Sequence, residues 1–162
     1  MMQNELDTAT TAISKKIANI LIGNLSENNN ELNVKYRFCF QVFDGGKPID
    51  NPDTLESLHL LLYQLLEIEK TTMVYSLILL VDFLNNTDLL LTPSNTILLV
   101  LTSMSVAMKY LEDIIITNQE LAKRCGLEKN QMIEMEGIFL KGLEYKVYRN
   151  LETYEKYLSF LV

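Results

Sequence analysis

Histidine is almost missing from this chain, and cysteine is scarce. His59 is the single imidazole in 162 residues, and Cys39 and Cys125 are the only thiols. That set matches no metal-ligand spacing, so no metal site is expected. Two cysteines cannot make a disulfide framework, which points to a reduced, intracellular setting in cytoplasm or nucleus. Basic charge is also short. Fourteen Lys and Arg stand against twenty-one Asp and Glu, a formal charge of −7. Nucleic acid is therefore not an expected partner, because phosphate binding needs clustered cations. Glycine is sparse, and Gly45-Gly46 opens no helix of the kind a phosphate loop requires. No nucleophile stands at a recognisable spacing from a base. No catalytic residue and no cofactor is expected.

Long apolar runs are missing too. The run from Met73 stops at Asp82, and the one from Ile97 to Met108 contains Thr102, Ser103 and Ser105. Neither is long enough to cross a bilayer, so no membrane partner is expected. The first residues carry no basic region followed by an apolar stretch, so no secretory signal is read there.

The chain does contain helical periodicity. Ile13, Ile17, Ile20 and Leu21 form one stripe of a helix over residues 6–21, which Gly23-Asn24 can end. A polar, Asn-rich linker follows over 26–31. Residues 34–43 then alternate, with Val34, Tyr36, Phe38, Phe40 and Val42 on one side. A period of two predicts an extended segment, which would pair its edge with a second copy or lie along its own domain. Gly45-Gly46, Pro48 and Pro52 mark turns and the start of the main domain. The expected organisation is an N-terminal extension over 1–48, a main domain over 49–148 and a C-terminal helix over 149–162.

Within the main domain, Asp53 with Glu56 resembles a capping box for a first helix rich in leucine. His59 sits among those leucines and reads as structural. Thr72 is expected to cap a second helix over 73–84. Thr92-Pro93 predicts a third, with Thr as cap and Pro at the first helical position. The third helix has no charge between Pro93 and Met108 and is rich in small residues. A helix apolar all round is buried on all sides, so it is the expected centre of a bundle. Thr117 with Glu120 predicts a short fourth helix that Cys125-Gly126 stops. A fifth is expected over 128–143, with Met132, Met135, Phe139, Leu140 and Leu143 inward. Asn150 can cap a last helix carrying Tyr154, Tyr157, Leu158 and Leu161.

The order of several short strings carries a resemblance. Asn95, Leu99 to Ser103 and Ala107-Met108-Lys109-Tyr110-Leu111-Glu112-Asp113 are similar to the central helix of the cyclin box. Thr117-Asn118, Leu121-Ala122 and Gly126-Leu127 resemble its fourth helix. Asn130, Met135-Glu136, Phe139-Leu140, Leu143, Tyr145 and Val147 resemble its fifth. The chain is most similar to the phosphate-pathway (P- or U-type) cyclins, which have a single box.

The resemblance implies an all-α fold, a five-helix cyclin box around a buried central helix, with an N-terminal helix and extended segment and a short C-terminal helix. It implies a regulatory subunit that activates a cyclin-dependent protein kinase. It also implies a kinase-binding site in which Lys109 and Glu136 hydrogen-bond main-chain groups beside the kinase C-helix, with apolar contacts from Tyr110, Leu111 and Phe139. The position of the first helix matches an N-terminal helix that aids kinase binding in many cyclins. The bland readings are a cation at a helix C-terminus for Lys109, an exposed helical carboxylate for Glu136, and core positions for Tyr110, Leu111 and Phe139. A cyclin-fold adaptor for non-kinase partners is the alternative function. Two departures stand out. The family's His-Arg pair is Ile97-Leu98 here, and its Asp-Arg pair is Asp82-Phe83.

Overall fold

The computed structural model describes residues 7–25, 40–45, 48–49 and 51–162. Seven α-helices lie among them: α1 (Thr8–Gly23), α2 (Pro52–Leu65), α3 (Lys70–Thr87), α4 (Thr96–Leu111), α5 (Asn118–Cys125), α6 (Lys129–Gly142) and α7 (Leu151–Leu161). The described residues contain no strand, and the all-α bundle expected from the sequence is the fold observed.

Every residue of α4 from Thr96 to Met108 is buried. The helix has no polar face to give to water, so the other helices wrap it, with α3 making the most extensive contact and α6 and α2 completing the wall. Its hydroxyls would be costly in such surroundings without partners. Three of the four turn back onto main-chain carbonyls just before them: Thr96 donates to Thr92 at 2.6 Å, Thr102 to Leu98 at 2.7 Å and Ser103 to Val100 at 2.8 Å.

The N-terminal helix belongs to the same core. α1 is capped by Asp7, whose carboxylate accepts from the Thr10 N–H at 2.6 Å, and it buries Ile13, Ile17, Ala18 and Leu21 against α2.

Three helix starts differ from the sequence expectation. α2 is capped by Asn51, which accepts from the Thr54 N–H at 2.9 Å, with Pro52 at the first position; Asp53 falls inside the first turn. α3 begins at Lys70, so Thr72 is an interior, buried residue rather than a cap. α4 begins at Thr96. Asn95 closes the turn before it, accepting from the Thr92 N–H at 2.8 Å and donating to the Leu90 carbonyl at 3.0 Å. Pro93 therefore sits in that turn and not in the helix. The caps at Thr117 and Asn150, and the left-handed stop at Gly126, lie where the sequence places them.

Part of the expected extended segment, residues 34–39, lies outside the described residues. Its last residues are not extended. Gln41–Phe43 is a 3₁₀ turn, and both Phe40 and Phe43 meet Phe83 edge-on, with centroids 5.9 and 6.0 Å away. A 3₁₀ turn aligns residues three apart, and burying two rings on one outweighs the local alternation.

Candidate partner-binding site

The site grows from the only part of α4 that reaches solvent. After Met108 the buried stripe ends, and Lys109, Tyr110 and Leu111 emerge at its C-terminal turn. The Lys109 ammonium donates to Asn118 Oδ1 at 2.6 Å, at the first residue of α5. It also pairs with the Glu136 carboxylate in the middle of α6. Three helices thus converge on one cation. Both charged side chains retain about a quarter of their exposure, 22% for Lys109 and 24% for Glu136. The cluster is therefore neither an open surface pair nor a sealed one.

Beside it lies a depression of about 200 Å³ lined by Val106, Lys109, Tyr110, Glu136, Leu140 and Val147. Lys109 and Tyr110 lie three and four positions after Val106 on α4, and Leu140 lies four after Glu136 on α6, so each helix gives one face to the floor. Leu111, next to Tyr110 in the chain, is 40% exposed, and Ile133, one turn before Glu136 on α6, is 46% exposed.

Of the sequence-predicted site residues, the structure brings Lys109, Glu136 and Tyr110 together and puts Leu111 beside them. Phe139 stands apart. It is fully buried and stacks on Phe83 with centroids 4.7 Å apart, so it supports the site from the core and offers no surface contact. That corrects the surface contact implied by the resemblance and agrees with the inward position given by the helical pattern: on α6, Phe139 is three residues from Glu136 but turned toward α3.

Both family departures have a structural consequence. Ile97 and Leu98 are buried in the core. Phe83, in place of an arginine, is the centre of the aromatic cluster just described. The arginine itself comes from elsewhere: Arg149, in the segment before α7, donates to Asp82 Oδ2 at 2.7 Å. Sequence reasoning missed this pair, and it missed Asn118, Tyr145 and Tyr148 as neighbours of the site.

A family model described as Cyclin matches residues 59–147, more than half of the chain. The chain belongs to the cyclin family. No curated protein is significantly similar to it. Cyclins are generally non-catalytic regulators that act on a protein partner, generally a kinase. Among the described residues there is no cluster of His, Cys, Asp or Glu able to hold a metal ion, and no helix is long and apolar enough to cross a membrane.

Proposed function

We propose that this cyclin binds and activates a cyclin-dependent protein kinase, and that Lys109, Glu136 and the apolar surface around them form the contact. The carrying observation is the Lys109–Glu136–Asn118 cluster at the edge of an apolar depression. An ammonium has three protons to donate, and two are committed here. The remaining proton and the second carboxylate oxygen of Glu136 can meet main-chain N–H and C=O groups of a partner. The depression beside them has an aliphatic floor suited to one apolar side chain. Helix ends carry unpaired main-chain groups, so an incoming helix terminus with an apolar anchor fits both halves of the site.

A kinase is competent when the glutamate of its C-helix reaches the lysine of its third strand. A surface that binds the inward position of that helix better than the outward one shifts the population toward activity. The order and spacing of residues 95–147 support the phosphate-pathway type within the family, and action inside the cell follows from such a partner.

The test is activation of a purified cyclin-dependent kinase from the same organism by wild type and by Lys109→Ala with Glu136→Ala. The double variant should keep its helical circular dichroism and lose activation. Retained activation overturns the site, and a wild type that captures other proteins but no kinase favours the adaptor.

A further inference from the structure

Next to the depression lies a larger hollow of about 500 Å³, lined by Tyr110, Tyr145, Lys146, Val147 and Tyr148. The two share Tyr110 and Val147, so they form one continuous surface. Tyr145 and Tyr148 are each 69% exposed. Their backbone is held in an uncommon shape. Glu144 and Tyr145 are consecutive left-handed residues, with φ of 54° and 59°, and each such non-glycine residue persists only where its surroundings over-determine it.

The surroundings do so here. The Tyr145 N–H donates to the Leu140 carbonyl at 2.9 Å and that of Lys146 to Leu143 at 3.0 Å. From below, the Tyr75 hydroxyl donates to the Val147 carbonyl and accepts from the Arg149 N–H, both at 2.7 Å. The Arg149 guanidinium adds bonds to the Lys146 and Tyr148 carbonyls at 2.8 and 2.7 Å, while it also holds Asp82. A turn fixed at this many points needs little ordering when a partner arrives.

We propose that the hollow takes an arginine or lysine side chain of the bound kinase, its cation lying against the rings of Tyr110, Tyr145 and Tyr148. This rests on the reading that a kinase occupies the neighbouring depression. Ring faces carry the negative part of an aromatic quadrupole and attract cations, and three rings border this one hollow. Its lining contains one aliphatic residue, Val147, whereas the adjoining depression has Val106, Leu140 and Val147 and suits an apolar anchor. The one cation in the lining, Lys146, is engaged by Glu144 at 3.2 Å. The chain's formal charge of −7 favours the approach of a basic group.

The experiment measures binding of the purified cyclin-dependent kinase to wild type, Tyr148→Phe and Tyr148→Leu. Phenylalanine keeps the ring face and leucine removes it. Tyr148→Phe should bind as wild type does, and Tyr148→Leu about 5- to 30-fold more weakly. Melting temperatures should not move, since the side chain is mostly exposed. A wild type that binds no kinase overturns the proposed function and this contact with it. A wild type that binds while Tyr148→Leu binds equally well overturns the cation contact alone, as does equal loss with Tyr148→Phe.

Discussion

The Ser14 hydroxyl and the His59 imidazole lie 2.7 Å apart, Oγ to Nδ1, with both residues buried between α1 and α2. This polar bond lies inside the apolar seam that joins the N-terminal helix to the box. A neutral ring suits the seam, because an imidazolium there would lose its hydration without gaining a counter-ion. Burial pushes the His59 pKa down from 6.5 to about 4.

The sign of the pH dependence follows from that depression. Below pH 6.5 the unfolded chain takes up a proton on His59, while the folded chain resists until about pH 4. Stability present at neutral pH is therefore lost as pH falls through this window, by up to about 3 kcal/mol from this group. His59→Gln should flatten that part of the profile. The chain has a single histidine, so one imidazole resonance reports it by nuclear magnetic resonance. Titration near 6.5 in the folded protein would disprove the assignment.

Two glycines of α6 should respond in opposite directions to alanine. A methyl at Gly142 would meet the Phe83 ring and, at 2.9 Å, Thr87 Cγ2, while one at Gly137 would meet nothing within 4 Å. Phe83 is fully buried among other rings and has little room to give. Gly142→Ala should cost about 1–3 kcal/mol through overpacking. Gly137→Ala should add about 0.5–1 kcal/mol by restricting the unfolded chain. Urea unfolding of the two variants decides the matter; equal effects would contradict the packing.

Glu112 serves the start of α3. Its carboxylate accepts from the Glu69 N–H at 3.4 Å, and Glu69 itself makes no side-chain cap there. Burial raises the Glu112 pKa, and nearby Glu69 also pushes it up, while bonds to Thr72 and Glu69 oppose the rise. A raised carboxyl favours the fold most below its unfolded pKa, and that contribution fades as pH rises through the folded value. Glu112→Gln keeps an acceptor without the charge, so at pH 7 it should be at least as stable as wild type. Glu112→Ala should cost about 1 kcal/mol. A Gln variant that destabilises as much as Ala would mean that the charge, and not the acceptor, matters.

The sequence was most informative where a signal is local. Thr117, Gly126 and Asn150 act on their own helix ends, and each does what its residue type predicts. The uncharged run before Lys109 is buried as its composition requires. Misreadings arose where distant residues decide. α3 starts at Lys70, two residues before the expected Thr72 cap, and its first turn receives a carboxylate from residue 112. At its last residues, Phe40 to Phe43, the alternation gave way to the pull of Phe83 across the core. Asp82 has an arginine after all, but it comes from position 149, and no spacing rule connects them. In the candidate site, Lys109 and Glu136 follow from the family spacing, and the inward position of Phe139 follows from the helical pattern of α6; its surface contact came only from the resemblance.

The burial of α4 also sets a timescale. No face of that helix between Thr96 and Met108 touches solvent, so its amides should exchange with water only when the whole bundle opens. Lys109 extends directly from this slowest-opening segment. A partner gripping that end holds the last element to unfold, so the lifetime of the complex and the lifetime of the folded chain become linked.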